Sequence, residues 1–453
     1  MKFENIMMKR IPVWLLLFTI LMALIFSVIF GWFVKRALHG DERLGDIASV
    51  VVSVADFPSL AKKSFIELSD QKSPLLIANR FPEINGFRKN GVLQQGASED
   101  DGYLLLSSFD HEKRQSTVKL IRIRDEQIVH EWTPDISSLA EYQLKKSFLD
   151  ADKMIPSRYQ ISHPLLLDDG SLVFKQTGPL FKISACSVIE WAVTDFFHHS
   201  IEMGSEGNLW VPSHDETSFY GKEELANYQG DAIAKVSVDG NLLYKKSVPQ
   251  ILEENGYRGL LFGAGPYEND VIHLNDIEPA LYSTKYWNKG DLLVSMRNRS
   301  TVFLYRPSTN KIIWLKTGPW LNQHDADFVG QSKISVFGND VIRSEGSKII
   351  ELGNKVYVFD FAGGVVSTPY SEPMNSMEVQ TATGGLHRIL DNGNVFIEET
   401  NHGRLMQIAH DKVIWQYTAK VDDATVGKLS WSRYLTLDQV RVVLPKLENL
   451  SCQ

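Results

Sequence analysis

A short sequence motif recurs after residue 85 and constrains the fold of this chain more than any other feature. In each copy, a polar turn containing glycine leads into a short apolar strand, and a second alternating strand follows. The six copies are Asp101–Leu106, Asp169–Phe174, Glu206–Val211, Lys289–Val294, Gly330–Phe337 and Asn392–Ile397. Repeated units of strand and turn, each about 60 residues long, are typical of β-propeller blades. We therefore predict an all-β fold, a six-bladed β-propeller.

A pair of β-sandwiches is the structural alternative for a chain with this many strands. Two sandwiches would not require six similar units, whereas a propeller is built from repeats. Radial closure in a propeller also protects most strand edges from pairing with other chains. The repeat therefore favours the propeller.

The N-terminal segment predicts a membrane anchor. Residues 11–34 form a run of 24 residues without a charge, between Lys9-Arg10 and Lys35-Arg36. About 20 apolar residues in a helix cross the hydrocarbon core of a bilayer. A cleaved signal peptide is the alternative, but its apolar region is usually about 7–15 residues long and ends at small residues. We therefore predict an uncleaved transmembrane helix.

The sequence predicts five segments in order along the chain. They are an N-terminal flank (1–10), a transmembrane helix (11–34), a helical stalk or linker (35–84), the propeller (85–440) and a C-terminal tail (441–453). The stalk is predicted because Ile47, Val50, Val51 and Val54 follow helical spacing. Three Lys or Arg residues precede the apolar run and three follow it, so the positive-inside rule leaves the orientation open.

Charge and cysteine content exclude several classes of protein. Lys and Arg number 47 against 55 Asp and Glu, a net charge of −8, and no basic run occurs, so we predict no nucleic-acid partner. Two cysteines cannot build a cysteine-based zinc or iron–sulfur site. Cys186 and Cys452 would be able to pair in an oxidising compartment. Because Cys452 lies in the C-terminal tail, we expect the two to remain unpaired.

Five of the twelve histidines occupy matching positions in the repeats, near the start of the strand that precedes a glycine turn. They are His163, His199, His273, His324 and His387. The first strand of a propeller blade usually lines the central channel, so these imidazoles are predicted to ring one mouth of that channel. Such a ring serves binding or catalysis, and the alternatives are hydrogen-bonded structural histidines or a metal site.

Arg297 directly follows the fourth of the repeated strands. Its planar guanidinium carries a fork of donors that suits an oxyanion such as sulfate, phosphate or carboxylate. A surface salt bridge is the alternative role for this residue.

Four segments resemble the arylsulfotransferase (arylsulfate sulfotransferase) family of bacterial β-propeller enzymes. They are Phe197–Glu202, His273–Ile277, Ser295–Arg297 and Asn322–Asp325, and the resemblance extends over most of residues 95–435. It implies that a sulfuryl group moves from a phenolic sulfate ester to another phenol through a sulfated histidine. The resemblance also implies independence from phosphoadenosine phosphosulfate.

The resemblance implies a role for each matching residue. His324 matches the histidine nucleophile, and His273 and Arg297 match the residues that hold the sulfuryl oxygens. The remaining family histidine falls on the pair His198–His199. We favour His199 as the catalytic member because it keeps the register of the other channel histidines, which leaves His198 as a substrate-binding residue.

Two amides, Asn275 and Asn401, are predicted to orient the substrate. The chemistry that the resemblance implies requires neither a metal nor an organic cofactor. A neutral imidazole is a competent nucleophile near neutral pH, and a covalent intermediate divides one difficult displacement into two easier ones.

The better-known members of the family are secreted or lipid-anchored, whereas this chain keeps a membrane span. It is therefore similar to a little-characterised, membrane-anchored branch. We expect a single-pass protein of the inner membrane with its propeller in the periplasm, acting on a small-molecule aryl sulfate and a phenolic or other hydroxyl acceptor. The alternative function is a non-catalytic propeller that binds an anionic ligand or a glycan.

Overall fold

The structure of this chain is a computed structural model. It describes residues 12–38, 50–51, 54–55, 57, 73–89, 102–142, 155–215, 230–264, 269–343, 349–410 and 412–452. The chain divides into two compact units, Met1–Lys72 and Ser73–Gln453. The second unit includes residues 73–84, which the sequence analysis assigned to the linker.

One long apolar helix dominates the first unit. Helix α1 (Val13–Leu38) carries Lys35 and Arg36 in its last turn. Its segment Val13–Ala37 is long and apolar enough to cross a membrane, and none of that window is buried within the structure. Residues 50, 51, 54, 55 and 57 of the predicted stalk are helical, and the remainder of residues 39–72 lies outside the described residues.

Strands and turns build the second unit. In chain order, the first strands are β1 (Leu76–Ala78), β2 (Gly86–Lys89), β3 (Tyr103–Asp110), β4 (Gln115–Arg122), β5 (Gln127–Trp132), β6 (Ser162–Leu166), β7 (Leu172–Lys175), β8 (Gly178–Ile183), β9 (Ile189–Phe197), β10 (Glu202–Met203), β11 (Leu209–Asp215), β12 (Gly230–Val236), β13 (Leu242–Ser247) and β14 (Leu274–Pro279). The others are β15 (Leu292–Met296), β16 (Thr301–Arg306), β17 (Lys311–Thr317), β18 (Asp325–Val329), β19 (Lys333–Gly338), β20 (Val341–Arg343), β21 (Ile349–Glu351), β22 (Lys355–Asp360), β23 (Val365–Ser367), β24 (Leu386–Ile389), β25 (Val395–Glu399), β26 (Arg404–Ile408), β27 (Val413–Thr418), β28 (Thr425–Gly427) and β29 (Arg433–Leu435).

Short helices connect these strands within the described residues. The α-helices are α2 (Ile136–Leu139), α3 (Val248–Glu254), α4 (Arg258–Phe262), α5 (Ser371–Ser376), α6 (Leu437–Val440) and α7 (Leu444–Glu448). Single 3₁₀ turns lie at Ala140–Tyr142, Arg297–Arg299 and Thr400–His402.

Antiparallel pairing joins the strands into sheets that follow the chain order. The larger sheets have the strand orders β29-β3-β4-β5, β6-β7-β8-β9-β11-β12-β13 with β10 paired to β11, β14-β15-β16-β17, β18-β19-β22-β23 and β24-β25-β26-β27-β2. Two-stranded pairs form between β1 and β28 and between β20 and β21. The fold is therefore all-β and propeller-like, as predicted.

The prediction of six separate blades is wrong. Four of the sheets have four or five strands, the size of one blade, whereas the second and third repeat units share a single eight-stranded sheet. The reason is a backbone pairing between Phe197 of β9 and Ser213 of β11, which makes the two units continuous. Sequence repeats mark where strands begin, but they do not determine whether neighbouring units exchange hydrogen bonds.

The glycine turns of the repeat are confirmed as tight connections between the first and second strands of a unit. Gly170 joins β6 to β7 with φ +88°, and Gly393 joins β24 to β25 with φ +81°. Glycine enters this left-handed region without the steric cost that a side chain imposes. The amide of each glycine donates back to an apolar residue three positions earlier, Leu167 or Leu390.

The two ends of the second unit interlock. The C-terminal strand β29 pairs with β3 from the start of the unit, with Tyr434 opposite Leu104. The early strands β1 and β2 pair in turn with the late strands β28 and β27. Because strands from both ends of the unit share sheets, the array closes on itself.

A second set of hydrogen bonds joins neighbouring sheets at the central channel, where a side chain on one inner strand accepts from the backbone of the next. Ile277 N donates to Ser200 Oγ (3.1 Å), Ala326 N donates to Asp276 Oδ2 (3.1 Å), and His387 N donates to Asp325 Oδ2 (2.7 Å). These side chains are buried, so each bond satisfies a backbone donor that would otherwise lose water without compensation. The inner strands are thereby fixed in register with one another.

Large apolar side chains fill the spaces between sheets. Trp132 on β5 is fully buried with Phe174 and with Val440 of α6, and Trp415 on β27 is 1% exposed beside Phe396. Complete burial of one such side chain contributes about 1.5–3 kcal/mol. The C-terminal helices therefore belong to the core of the second unit.

A disulfide joins Cys186 to Cys452, with the two Cα atoms 5.4 Å apart. The expectation that these cysteines remain unpaired is wrong. The C-terminal tail is held in place because Leu447 of α7 is buried in the same cluster as β5 and β8, and this packing brings Cys452 to the turn that carries Cys186. Tertiary packing of the tail, which the sequence did not reveal, decides the pairing.

Candidate functional site

Three of the predicted histidines lie at or just before the start of an inner strand, and each has a positive φ. His163 (φ +52°), His199 (φ +54°) and His273 (φ +52°) are left-handed, and Asn322, two residues before His324, has φ +50°. This region is costly for a residue with a side chain and persists only where the surrounding structure imposes it. The matching conformations support the common register that the sequence spacing predicted.

Four of the predicted catalytic side chains lie together at the start of the inner strands. The ring centroids of His199 and His273 are 5.0 Å apart, and those of His199 and His324 are 6.5 Å apart. Arg297 is 3% exposed, its amide donates to the carbonyl of His273, and its charge acts on His324. We call His199, His273, Arg297 and His324 the histidine cluster.

The ring of His324 is held in one orientation by two partners. Its Nδ1 lies 2.6 Å from Asn339 Oδ1, and the amide of Gly384 donates to its Nε2 over 3.0 Å. The amide nitrogen of Asn339 donates to the carbonyls of Thr381 and Gly384, so its oxygen faces His324 as an acceptor. His324 must then carry its proton on Nδ1, and the lone pair lies on Nε2.

Burial and neighbouring positive charge keep two of these imidazoles neutral. Burial, together with the charge of Arg297, holds the pKa of His324 well below its usual range. Burial and the neighbouring imidazole of His273 lower the pKa of His199 in the same way. Both rings are therefore neutral at pH 7, the state in which an imidazole nitrogen is nucleophilic.

A chain of polar contacts leads from His199 away from the cluster. His198 Nδ1 lies 2.8 Å from His199 Nδ1, and His198 Nε2 lies 3.2 Å from Asp231 Oδ1. His198 is 5% exposed, so it lies behind His199, between that ring and Asp231. On the other side, His273 Nδ1 lies 2.5 Å from Asp270 Oδ2. Carboxylates thus orient the imidazoles on both sides.

The two predicted asparagines contact the cluster only indirectly. Asn275 is fully buried and donates to the carbonyl of Gln323, the residue before His324, over 3.1 Å. Asn401 accepts from the amide of Thr383 over 2.9 Å and so supports the turn that carries Gly384. Both residues hold the backbone around His324.

The other two histidines of the predicted ring lie elsewhere, so the ring of five is only partly formed. His163 accepts from Ile201 N over 2.9 Å, and His387 Nδ1 lies 2.8 Å from Asp325 Oδ2. Both line a cavity of about 1380 Å³ that runs along the inner strands and does not include the histidine cluster. The similar spacing of these histidines from the glycine turns correctly predicted that they lie on inner strands. The direction of each side chain, however, depends on the local backbone.

Acidic side chains line part of this cavity wall, and Asp276 lies next to them on β14. Burial and the neighbouring Asp325 raise the pKa of Asp276 well above its usual range. Burial and the neighbouring Glu202 raise the pKa of Glu278 well above its usual range. Burial and Asp325 raise the pKa of Asp327 to about 7. The channel thus has imidazoles and a guanidinium at the start of its inner strands and acids further along them.

Sequence reasoning missed two residues at the cluster. Asn339 follows β19, the second strand of its sheet, and a polar residue directly after an apolar strand was the available signal. Lys175 at the end of β7 is fully buried, and its amino group donates to the carbonyl of His199. Burial, with the nearby charge of Arg433, lowers the pKa of Lys175 to about 7. Nothing in the spacing of the repeats singles out a lysine there.

Comparison with known sequences now decides the family. Residues 163–420 match the family model for arylsulfotransferase (ASST), and this stretch contains the whole histidine cluster. The chain belongs to the arylsulfotransferase family. The family predicted from the sequence motifs is therefore confirmed. No curated protein sequence matches the chain.

Solved structures similar to this arylsulfotransferase-family chain share only low sequence identity. A protein of unknown function from Bacteroides caccae is 16% identical, with a TM-score of 0.44 over 74% of this chain and 99% of that one. The Pan2 WD40 domain of Neurospora crassa is 10% identical, with a TM-score of 0.41 over 78% and 94% of the two chains. A streptogramin B lyase is 11% identical, with a TM-score of 0.39 over 75% and 89%. At such identities, the likeness carries no information on chemistry.

The lowered pKa of the buried Lys175 predicts that the stability of the fold depends on pH. Its folded pKa of about 7 lies below the usual value of 10.5, so the unfolded chain binds one more proton between these limits and stability rises with pH across this window. Lys175→Met removes this contribution, and the free energy of unfolding should lose a slope of up to about 1.4 kcal/mol per pH unit. Urea unfolding of the full chain in detergent, compared between about pH 7.5 and pH 9.5, measures this slope.

Lys182→Met is the matched control, because Lys182 lies on the neighbouring strand β8 and pairs with Asp169 and Glu190 near the surface. An unchanged slope in Lys175→Met would contradict the assignment of a neutral buried lysine.

Proposed function

We propose that this chain is a sulfotransferase that moves a sulfuryl group from an aryl sulfate to a phenolic or other hydroxyl acceptor through a sulfohistidine at His324. The observation that carries the proposal is the state of His324: a buried, neutral imidazole with its Nδ1 proton fixed by Asn339, grouped with Arg297, His199 and His273 in the histidine cluster. Membership of the arylsulfotransferase family supports transfer of this chemical group.

In the first half-reaction, the Nε2 lone pair of His324 attacks the sulfur of the donor. The N–S bond forms as the ester S–O bond breaks, and the electron pair of that bond leaves with the phenolate oxygen. Gly384 N–H occupies the lone pair in the free protein, so it must shift as the donor binds, and it can then donate to a sulfuryl oxygen. A proton passes from His273 to the phenolate oxygen, and the acceptor phenol returns it to His273 in the second half-reaction.

Positive charge around His324 would stabilise this step. By analogy with phosphoryl transfer, the transition state is loose and carries its charge on the sulfuryl oxygens. Arg297 supplies a planar fork of donors, and His199 and His273 add ring N–H groups. One fixed donor of this kind is typically worth about 3 kcal/mol in the transition state.

The second half-reaction reverses these movements. The acceptor hydroxyl oxygen attacks sulfur, the N–S bond breaks, and the electron pair returns to Nε2 of His324. His273 is the imidazole placed to exchange the proton of the phenol, because its side chain is 28% exposed and Asp270 fixes its Nδ1 side. The remaining residues, His198 with Asp231 and Asn275 with Asn401, act as orienting groups. No step requires phosphoadenosine phosphosulfate or a cofactor.

Replacement of the nucleophile tests the proposal. His324→Asn should abolish the release of p-nitrophenol from p-nitrophenyl sulfate in the presence of phenol, because an amide nitrogen cannot form the N–S bond. After incubation of the wild type with donor alone, mass spectrometry should find one added sulfuryl group on the His324 peptide.

His410→Asn is the control variant, since His410 is an exposed residue that stacks on Tyr370 outside the channel and should not affect turnover. Turnover by His324→Asn at the wild-type rate would refute the assignment. If the aryl sulfate binds but is neither turned over nor transferred to a histidine, the protein is a binding propeller and not an enzyme.

The lowered pKa of His324 predicts the acid limb of the pH profile. Protonation of the nucleophile would stop attack, and because burial and Arg297 hold its pKa well below 6.5, kcat/KM should fall only below that pH. Asn339→Asp places a carboxylate against Nδ1, which favours the imidazolium and should move the acid limb upward. Profiles of kcat/KM against pH for the two proteins measure this shift. An acid limb at the same pH in both would contradict the role given to Asn339.

We also propose that α1 anchors the chain in the inner membrane and that the propeller lies on its periplasmic side. The helix supports the anchor by its length and composition. The disulfide between Cys186 and Cys452 supports an oxidising compartment, because such bonds are rare where thiols are kept reduced.

Expression in a bacterial host tests this location. Both cysteines should resist maleimide in acid-quenched cells until a reductant is added, and protease should digest the propeller in spheroplasts. Free thiols on both cysteines together with protection from protease would place the propeller in the cytoplasm. Cys452→Ser should expose Cys186 to the reagent and serves as the positive control for labelling.

A further inference from the structure

The cavity along the inner strands contains a second group of side chains that the proposed transfer does not use. Asp325 and Asp327 lie on β18, and His387 lies on the neighbouring inner strand β24. Each of the three offers one ligand atom, and these atoms lie within 4.8 Å of one another. We call these residues the acidic triad.

The imidazole of His387 is oriented as a metal ligand would be. Its Nδ1 lies 2.8 Å from Asp325 Oδ2, and because a carboxylate accepts at neutral pH, Nδ1 is the donor. Burial lowers the pKa of His387, but the hydrogen bond to Asp325 and the charges of Asp325 and Asp327 raise it above its usual value overall. A metal ion at Nε2 would therefore take the place of the proton that these carboxylates favour there. A histidine whose outer nitrogen is bound to a carboxylate is the usual arrangement around protein-bound metal ions.

The free nitrogen of that ring lacks a hydrogen-bond partner. His387 is 2% exposed, and no described residue hydrogen-bonds its Nε2. The nearest acidic atom is Asp327 Oδ2 at 3.9 Å, and it also lacks a hydrogen-bond partner among the described residues. Two unsatisfied atoms that face each other at this separation leave room for an ion between them, since metal–ligand bonds are about 2.0–2.2 Å long.

The charge around the triad favours a cation. Glu202 and Glu278 line the same cavity, and Asp276 lies beside them on β14. Arg388 and Arg433 are the nearby guanidinium groups, and Arg433 already contacts Glu202 over 3.1 Å. Carboxyl groups therefore outnumber the fixed positive charges, and a bound cation would stabilise their ionised form, which burial otherwise disfavours.

We propose that the acidic triad binds one divalent transition-metal ion, Zn²⁺ or Mn²⁺, with Asp327 and Nε2 of His387 as ligands and Asp325 as the carboxylate that orients the imidazole. The ion would join β18 to β24 inside the channel. The ligand set of one imidazole nitrogen with carboxylate oxygens suits these ions better than Ca²⁺ or Mg²⁺, which prefer oxygen alone. The site is separate from the histidine cluster, although β18 begins directly after His324. The ion would have a structural role: it would fix the strand that carries the nucleophile against its neighbour.

Metal content and thermal unfolding of the full-length chain in detergent test the proposal. Protein purified without chelator should contain about one equivalent of zinc or manganese by elemental analysis. After treatment with EDTA, ZnCl₂ or MnCl₂ should raise Tm and CaCl₂ should not. Absence of both metals together with an unchanged Tm would overturn the proposal, and so would a response to CaCl₂ alone.

Two variants locate the ion. Asp327→Asn keeps the shape of the side chain but removes a ligand charge, so it should weaken binding by about 10- to 100-fold and abolish the metal-dependent rise in Tm. The same variant should have a higher Tm than the wild type without metal, because it relieves repulsion among the carboxylates. A merely destabilising substitution would not produce both effects.

The matched control is His214→Ala, in a second group of possible ligands formed by His198, His214 and Asp231. This variant should bind zinc or manganese like the wild type. If His214→Ala loses the metal and Asp327→Asn keeps it, the ion lies in the second group and the acidic triad is not a metal site.

Discussion

Hydrogen bonds from side chains on one inner strand to the backbone of the next are the interaction on which the rest of this structure depends. Asp276 accepts from the amide of Ala326, and Asp325 accepts from the amide of His387, so each sheet is registered against its neighbour at the channel. Each intramolecular hydrogen bond of this kind contributes about 0.5–1.5 kcal/mol, and a buried amide left without an acceptor costs about 1–3 kcal/mol. Because these contacts lie beside the histidine cluster, the same bonds that hold the sheets together also position His324.

The channel separates two kinds of chemistry along one set of strands. At the start of the inner strands, Arg297 and neutral imidazoles create an environment that suits an anion. Further along, Asp327 and its neighbours create one that suits a cation. The net charge of −8 conceals this division, since it sums over the whole chain. Local burial decides the protonation state on each side, because desolvation penalises any charge that lacks a partner.

Much of the fold could be predicted from the repeated sequence motif. The strands and turns around Gly170 and Gly393 lie where the repeat predicted them, because a glycine in the left-handed region ends one strand and starts the next. The count of blades did not follow, since pairing of Phe197 with Ser213 depends on how two units meet in space. In the site, the spacing placed His199, His273 and His324 together. The spacing of the repeats did not single out Asn339 or Lys175, which reach the cluster from second strands.

The sequence alone determined the strand-and-turn architecture, the apolar helix and the family, because each can be recognised from local periodicity or from short motifs. Tertiary structure decided which residues those side chains contact. It determined that His387 faces Asp325 in the cavity while His324 faces Arg297, although both histidines occupy equivalent places in the repeat. It also brought Cys452 to Cys186. The physical reason is that side-chain direction, proton position and pairing depend on neighbours far apart along the chain, which only the closed array of sheets brings into contact.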